Sequence, residues 1–365
     1  MASSFETLIW KRETSGTYPA FTVPVRRTPV STMQFSGGAT KINLMDTDSK
    51  TRSRRSSVRG PVNYTASLSM PFYPTGLIPN LLRSIFTNSV STTIGAAGEK
   101  NDMLINEDIQ QLPWFTVQNI YRPTYATNGK GLVLNGLTFN VALNEVATVD
   151  ADFIVNDFAP NGEDWADDTA SPAIIAIGST TIESPLPKPL RHFNAELMQG
   201  GTLAKTGNAV TLTGGTLVSC LQSFSVSFAF NVEGIHCISL GDGTIKNTYH
   251  GERAITIATD MNWYQENSTF WARMRDGVPT ALKLEFISDE RFETSPPDPG
   301  DLYYKYTFIF PRLQIPEGQA DIPALTGDKA RRTQSIQFEV EENYQDANFD
   351  GDVAVSIESD EDLTT

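Results

Sequence analysis

The chain has 365 residues, 39% of them hydrophobic and 10% aromatic, and its formal net charge is −15 at pH 7. This length and apolar content are sufficient for two or three domains with substantial cores. No apolar run approaches about eighteen residues, which excludes a transmembrane helix. The first residues lack the basic and apolar regions of a signal peptide, so we expect synthesis in a cytosol. Cys220 and Cys237 are too few for a disulfide scaffold or a zinc site, and we expect two buried free thiols.

Charge is distributed unevenly along the chain. Residues 1–60 contain ten Lys and Arg against four Asp and Glu, whereas residues 285–365 contain nineteen acids and six bases. Three interpretations of the basic segment stay open: contact with the acidic region of a neighbouring copy, a solvated loop, and nucleic-acid binding. The acidic total disfavours tight phosphate binding. The basic residues that cluster in this segment are Arg52, Arg54, Arg55 and Arg59.

The first half of the chain predicts a series of strands and one short helix. Alternating large and small residues over 62–72 indicate a strand with one buried face. Apolar residues at helical spacing then predict a helix over 77–86, capped by Thr75. A polar run over 46–59 predicts a mobile loop. Further strands are predicted at residues 20–25, 32–35, 114–121, 132–144 and 146–156.

The strongest strand signal lies at residues 221–232. Large apolar residues occupy every second position, namely Phe224, Val226, Phe228, Phe230 and Val232. At about 3.3 Å per residue this strand would span roughly 35–40 Å, which suits a continuous wall better than a compact site. The opposite face of the strand carries polar but uncharged side chains, namely Ser223, Ser225 and Ser227.

The segments before and after this strand have different sequence patterns. Residues 161–215 contain acidic, proline-rich and glycine-rich stretches and predict a connector with one possible strand at 173–178. Beyond residue 250, a strand beginning at Gly251 and a helix around 270–274 are predicted. The acidic residues 359–362 are expected to be disordered. Strands are also predicted near residues 280–288, 303–310 and 334–341.

Two segments of the chain resemble each other. Gly, Thr, Met, an aromatic residue and Tyr recur without a gap in residues 60–73 and 251–264, at an offset of 191 positions. Each segment leads into a short helical pattern and then several strands, which indicates an internal duplication. A second similarity, between residues 134–144 and 221–231, has an offset of 87 positions. Because their offsets differ, the two similarities cannot belong to the same alignment, and we give more weight to the first.

The sequence contains no motif of a known catalytic or metal site. The histidines, His192, His236 and His250, form no His-x-x-x-His motif, and no Gly-x-Ser-x-Gly motif or phosphate-binding loop occurs. On an extended segment, His236 and Cys237 would point to opposite faces, which disfavours a dyad. The acidic run over 346–352 differs from a calcium loop in the position of its glycine and lacks the bidentate Glu. We therefore predict no enzymatic activity, no cofactor and no metal site.

The order of elements resembles that of the major tail tube protein of long-tailed (siphovirus-type) bacteriophages. The resemblance covers roughly two thirds of the chain and is carried mainly by its second half. The segments that carry it are residues 221–232 and 251–256, the helix at 270–274 with the three strands after it, and, in the first half, residues 60–73, 77–86 and 132–144.

The resemblance implies a mainly β fold with two tube-type lobes. Each lobe would be a β-sandwich or partial barrel with one short flanking α-helix. The first lobe would comprise residues 1–160, including the basic N-terminal segment and the mobile loop at 46–59, and the second lobe residues 216–345. Residues 161–215 would connect the lobes, and residues 346–365 would form an acidic C-terminal tail.

The resemblance also implies a structural function in the virion. Copies of the chain would join their sheets laterally into rings, either trimers with pseudo-six-fold symmetry or hexamers. Stacked rings would form the hollow tail tube, through which DNA is ejected into the host without specific binding. The implied partners are further copies of the chain and the tape measure, tail-tip and tail-terminator proteins. Assembly would occur in the host bacterial cytoplasm, without membrane insertion of this chain.

Two sets of candidate site residues follow from this resemblance. The candidate lumen-facing residues are Ser223, Ser225 and Ser227, and the candidates for contacts between rings are Arg52, Arg54, Arg55 and Arg59. The serine face could instead be covered by solvent or by a neighbouring sheet. The alternative function is a virion-associated or secreted β protein that binds carbohydrate or a receptor, which would require exposed Trp or Tyr side chains. Among the functions considered, an enzymatic activity ranks third.

Overall fold

The computed structural model describes most of the chain. The described residues are 6–12, 26–43, 57–95, 98–105, 114–122, 125–160, 163–164, 173, 187–218, 221–236, 245, 247–262, 277–293, 302–316, 333–343, 346, 348–361 and 363. Strands account for most of them, and all pairings between the strands are antiparallel. The prediction of a mainly β fold is therefore confirmed.

The elements of the described residues are one α-helix, one short 3-10 helix and a long succession of strands. In chain order they are β1 Glu6–Arg12, β2 Arg26–Val30, β3 Thr32–Asn43, β4 Ser57–Pro71, α1 Leu77–Ile85, β5 Asn88–Ile94, β6 Gly98–Leu104, β7 Phe115–Arg122, β8 Tyr125–Ala142, β9 Thr148–Pro160, the 3-10 helix His192–Asn194, β10 Ala195–Gln199, β11 Thr202–Thr206, β12 Ala209–Thr213, β13 Thr216–Leu217, β14 Leu221–Ala229, β15 Val232–Ile235, β16 Asn247–His250, β17 Ala254–Asn262, β18 Thr280–Glu293, β19 Leu302–Gln314, β20 Thr333–Val340 and β21 Ala354–Ser359.

Two series of strands in the main sheet pair in the same order. In the first half of the chain the order is β2–β1–β7–β8–β9–β4–β3. In the second half it is β13–β10–β18–β19–β20–β17–β14. Strands β21, β6 and β5 add to the second series along β19. The hairpins β11–β12 and β15–β16 form two separate small sheets.

The register of pairing repeats together with the order. Thr32 of β3 lies opposite Ser69 of β4, and Ser223 of β14 lies opposite Asp260 of β17. Each member of the second pair follows its counterpart in the first by 191 positions. The same offset relates the two similar segments that begin at residues 60 and 251, so the sequence and the strand pairing repeat with the same offset.

The two series meet at β8, whose two halves have different neighbours. Residues 125–132 pair with β7, whereas residues 136–142 pair with β14. A β-bulge between Leu134 and Gly136 separates the halves, and β9 pairs along the other edge of the strand. The second half of the chain is therefore joined to the first by direct pairing of β14 with β8.

One hydrophobic cluster contains residues from both series. The ring of Phe139 on β8 lies 5.3 Å from that of Phe308 on β19, and the ring of Phe224 on β14 lies 5.9 Å from that of Phe286 on β18, measured between centroids. Burying each ring stabilises the fold by about 2–3 kcal/mol. These contacts pack the sheet that contains β8 and β14 against the layer of β18, β19 and β21, as in a β-sandwich.

Helix α1 confirms the helix predicted over 77–86, but the predicted cap at Thr75 is wrong. The N-cap is Gly76, which has a φ of 86° and makes no side-chain cap. Glycine adopts this left-handed conformation at little cost, so the chain turns into the helix one residue later than expected. The amide of Gly76 donates to the side chain of Glu361 at 3.3 Å. The helix predicted around 270–274 lies outside the described residues.

The prediction of disorder at residues 359–362 is wrong for the residues of this segment that the structure describes. Ser359 is fully buried at the end of β21, which pairs with both β6 and β19. Asn101 binds the residues beyond it: its amide donates to the Glu361 carbonyl at 2.9 Å, and its oxygen accepts from the Leu363 amide at 3.1 Å. The alternating apolar residues of β21 pack into the core and outweigh the acidic character of the segment.

The boundaries of the two lobes, the connector and the tail stay predictions. Within the predicted connector, residues 187–215 contain β10, β11 and β12, and β10 pairs with β18. Residues 57–59 of the predicted loop begin β4, while the rest of that loop and residues 174–178 lie outside the described residues. None of the described helices has the length and apolar character needed to span a membrane.

Candidate functional site: a polar sheet face

A continuous polar face extends across seven neighbouring strands, in the order β3–β4–β9–β8–β14–β17–β20. Residues directly opposite each other in paired strands point to the same face, so the registers define its members. Seven strands about 4.8 Å apart make a surface roughly 30 Å wide. The polar members are Thr32, Gln34, Ser36, Thr65, Ser67, Ser69, Thr148, Asp150, Asp152, Thr138, Asn140, Ser223, Ser225, Ser227, Thr256, Asp260, Ser335, Gln337 and Glu339, and the registers also place Gly136, Ala142, Ile154 and Ala258 on this face.

The three serines that the sequence singled out lie in the middle of this polar face. Each is half-buried, because it lies between side chains of the adjacent strands. The hydroxyl of Ser227 is 2.9 Å from that of Thr138 on β8, and Ser223 donates to Asp260 on β17 at 2.7 Å. Their exposure to a lumen stays a prediction.

The strand that carries the serines is shorter than predicted. Strand β14 ends at Ala229 instead of continuing to Val232. Asn231 has a φ of 47°, a left-handed conformation that Asn tolerates better than most residues, and it turns the chain into β15. The breadth of the polar face therefore comes from the number of strands and not from the length of one strand.

The charges of the polar face are all negative. The four ionisable members are Asp150, Asp152, Asp260 and Glu339. Asp260 accepts hydrogen bonds from Ser223 at 2.7 Å and from Ser335 at 2.5 Å, and Asp150 accepts one from Asn140 at 2.7 Å. Because these donors are neutral, they orient the carboxylates without cancelling their charge.

The outward face of the second layer has a different character. It belongs to β6, β21, β19, β18 and β10 and carries charges of both signs. The carboxylate of Glu285 contacts the ammonium of Lys283 at 2.6 Å and that of Lys305 at 2.8 Å. Burial acts to raise the pKa of Glu285, but the hydrogen bonds and charges of the two lysines outweigh it and hold the pKa below its usual value.

The sheet that carries the polar face has an open edge on each side within the described residues. Strand β3 pairs along one edge with β4, and no described strand pairs along its other edge, where side chains of β7 hydrogen-bond to the Met33 carbonyl. Strand β20 pairs with β17, and its other edge meets β19 only at Glu339 and Val340. Open edges present backbone groups that can pair with another chain.

The predicted arginine cluster is largely outside the described residues. Arg52, Arg54 and Arg55 are not described, so their contacts stay predictions. Arg59 lies in β4, where it is opposite Lys41 of β3.

Two of the histidines, and Asp346 of the acidic run over 346–352, have structural contacts. His192 Nδ1 accepts from the Asn144 amide at 3.1 Å, and His236 Nε2 is 2.9 Å from Asn63 Oδ1. Asp346 accepts from the amides of Asn348 and Phe349, and these bonds lower its pKa. Among the described residues there is no group of three or more His, Cys, Asp or Glu side chains that could hold a metal ion.

An antiparallel β protein with a broad polar sheet face and open sheet edges is suited to assembly from copies of one chain, because the open edges can pair with further strands. A family model described as phage tail tube protein matches residues 7–341, which is most of the chain. The chain therefore belongs to the phage tail tube protein family and is a structural protein of the virion tail that assembles with itself and with other tail components. No curated protein matches it.

Proposed function

We propose that copies of this chain form closed rings that stack into a hollow tube, and that DNA is ejected through the tube into the host. The observation that carries this proposal is the polar face, with its hydroxyl groups and four carboxylates on seven strands. Such a wall is well hydrated and repels phosphate groups, so DNA would move along it without being held.

The difference in charge between the polar face and the outward face of the second layer supports placing the polar face on the inside of the tube. The outward face of the second layer contains lysines, including Lys283 and Lys305. Lysines in a lumen would attract the phosphates of DNA and slow the passage of the DNA, whereas on the outer surface they only add to solubility. The polar face therefore lines the lumen in this proposal, and Ser223, Ser225 and Ser227 lie on its inner surface.

The joint between β8 and β14 supports a specific way of closing the ring. In the repeated strand order, β14 of the second half corresponds to β3 of the first. Strand β14 pairs along its outer edge with the first half of the same chain, and β3 has its corresponding edge open. In our proposal β3 pairs with the open edge of β20 in the neighbouring copy, so that the sheet continues from one chain to the next.

This arrangement favours a ring of three chains. If the two series of strands are two equivalent lobes, three chains supply the six positions of a pseudo-six-fold ring. A ring of six chains is the alternative, and it would contain twelve such lobes. Since one chain has a mass of 40.1 kDa, rings of three and six differ clearly, at about 120 and 240 kDa.

Contacts along the tube axis and with other proteins complete the proposal. The arginines at positions 52, 54, 55 and 59 would contact the acidic regions of the next ring. Tape measure, tail-tip and tail-terminator proteins would bind the lumen and the two ends of the tube. Assembly would take place in the host bacterial cytoplasm, before the tube becomes part of the virion tail.

Binding of carbohydrate or a receptor is less well supported. A depression of about 430 Å³ opens on the polar face between β8, β14, β17 and β20. Its lining contains one aromatic residue, Phe224, which is only 4% exposed. Exposed tyrosines do occur, at Tyr121, Tyr125 and Tyr249, but none of them lines this depression. Small-molecule sites are usually lined by accessible apolar and aromatic surface, so this depression lacks the expected character.

Electron microscopy of the concentrated protein tests the proposal. We expect rings with three-fold or pseudo-six-fold symmetry and hollow filaments made by their stacking. Native mass spectrometry of the rings then distinguishes three chains from six. Dispersed monomers at every concentration and ionic strength would contradict the proposal and favour a binding module.

A further inference from the structure

Exposed aromatic and aliphatic side chains gather at the two opposite ends of β8. At its start, Tyr121 and Tyr125 are 38% and 52% exposed. Just after its end, Leu143 and Val146 are 49% and 41% exposed, and Phe193, in the 3-10 helix that lies beside them, is 57% exposed. Clusters of exposed apolar side chains often mark interaction sites, whereas single exposed side chains need no explanation. We call the first group the tyrosine patch and the second the aliphatic patch.

The tyrosine patch lies where β7 ends and β8 begins. The centroids of the two rings are 5.9 Å apart, and the Tyr121 hydroxyl donates to the Met33 carbonyl at 3.4 Å. Arg122, next to the rings, is exposed. The patch therefore combines two associated aromatic rings with a positive charge, a composition that is common at protein interfaces.

The aliphatic patch lies on the turn between β8 and β9 and on the 3-10 helix His192–Asn194 beside it. The amide of Leu143 donates to the Gln222 carbonyl at 2.9 Å, and the amide of His192 donates to the Glu145 carbonyl at 3.3 Å. The guanidinium carbon of Arg191 is 5.8 Å from the ring centroid of Phe193. These contacts fix the backbone that carries the patch and orient the Phe193 ring, so less conformational entropy would be lost when the patch is covered.

The positions of the patches define the geometry of a contact between them. Strand β8 has 18 residues, so the patches can lie up to roughly 60 Å apart, at the two ends of this strand. A contact between two different patches is heterologous, and when the patches are at opposite ends it generates an open stack. The tyrosine patch carries the positive charge of Arg122, whereas the aliphatic patch carries both Glu145 and Arg191, so two tyrosine patches would bring like charges together and two unlike patches would not.

We propose that the tyrosine patch of each copy packs against the aliphatic patch of a copy in the adjacent ring. The partner of both patches is thus a second copy of this chain. This inference rests on the proposed function, because it requires that rings stack along an axis roughly parallel to β8. It gives the tube a direction, with the tyrosine patch at one end and the aliphatic patch at the other.

Two double variants test the inference. In Tyr121→Ser with Tyr125→Ser the first patch is lost, and in Leu143→Ser with Phe193→Ser the second is lost. Each variant alone is expected to form rings that do not stack, as seen by electron microscopy and sedimentation. Because each retains the patch that the other lacks, an equal mixture is expected to form pairs of rings and no longer tubes. The control, Val90→Ser with Val278→Ser, removes two similarly exposed side chains away from the patches and should form tubes of normal length.

Several results would overturn the inference. Tubes of normal length from either patch variant, or ring pairs from one variant alone, would exclude a contact between unlike patches. Folded variants that form no rings would assign the patches to the lateral joint instead, with folding checked by thermal denaturation. The wild-type protein provides the separate test of the proposed function: if it forms neither rings nor tubes, that proposal fails, and this inference fails with it.

Discussion

Reversing the charge of the polar face is the most direct perturbation of the proposed lumen. Asp152 and Glu339 lie on this face and are exposed, so replacing both by Lys should change the free energy of unfolding by only about 0.5 kcal/mol each. The charge of the face would change from four negative charges per chain to zero. In a ring of three chains, twelve carboxylates would become six carboxylates and six lysines.

The expected effect on DNA follows from Coulomb's law. One lysine about 7 Å from a phosphate in water gains roughly 0.6 kcal/mol, and six lysines gain roughly 3–4 kcal/mol per ring before screening. A Debye length of about 8 Å at physiological salt reduces this to roughly 1–2 kcal/mol per ring. Because the gain is repeated in every ring along the DNA, tubes of the variant should retain DNA that wild-type tubes release.

Nuclease protection of short fluorescent duplex DNA measures this retention. After incubation with DNA and then nuclease, tubes of the variant Asp152→Lys/Glu339→Lys should sediment with protected DNA, and wild-type tubes should not. The protected fraction should fall steeply between about 50 and 200 mM salt, as expected for phosphate contacts.

The matched control places the same change of charge on the outward face of the second layer. Glu196 is exposed on β10 and Glu358 is half-buried on β21, and both are replaced by Lys. DNA attracted to the outer surface of the tube would be open to nuclease, so this control should protect none. Equal protection by both variants, or none by the variant of the polar face, would refute the assignment of this face to the lumen.

Three further predictions concern stability and assembly. Glu285→Gln should cost about 1–2 kcal/mol of stability at pH 7. Since folding lowers the pKa of Glu285, the stability that this carboxylate contributes is present above the unfolded pKa and is lost as the pH falls through the folded pKa. Thermal unfolding should therefore show that the stability difference between wild type and variant shrinks below about pH 4. Tyr306→Phe removes a buried hydroxyl that donates to the Pro74 carbonyl at 2.8 Å, and it should lower the free energy of unfolding in urea by about 1 kcal/mol. An unchanged free energy of unfolding would contradict a stabilising role for this hydrogen bond. Charge reversal of Arg54 and Arg55 should leave the monomer folded but hinder tube growth in turbidity and microscopy, and normal tubes would count against an inter-ring contact.

The strands that were predicted well from the sequence are those with one buried face. Residues 62–72 and 221–229 alternate strictly, and the structure places their large side chains in the core and their small polar ones on the surface. The predicted strands at 280–288, 303–310 and 334–341 also correspond to observed ones. A period of two is sufficient to identify such strands because burial depends directly on it.

The errors have local physical causes. Charge density suggested disorder after residue 358, but charge does not prevent pairing when a strand such as β21 has partners on both sides. Thr75 is a good capping residue, yet the conformation of Gly76 determines where α1 begins. The strands at 195–213 are five residues each, too short to show a distinctive period, so the segment appeared only as a connector.

The two internal similarities of the sequence have different structural bases. The offset of 191 positions recurs in the registers of β3 with β4 and of β14 with β17. The offset of 87 positions relates residues 134–144 to 221–231, and these two segments pair with each other as β8 and β14. Two strands that share a sheet and a core acquire similar alternation without being copies, which explains why the second similarity could not be aligned with the first.

The polar face illustrates what a single sequence leaves undetermined. Alternation shows that Asp150 and Ser227 each lie on the polar side of a strand, but which strands are neighbours depends on contacts between residues far apart in the chain. Only the registers reveal that Thr138 lies between them, so that one surface extends over seven strands. The sequence suggested a wall because one strand seemed long. The wall in the structure is instead broad, since each strand contributes two or three polar side chains, and a broad wall with open edges can be continued by further copies of the chain.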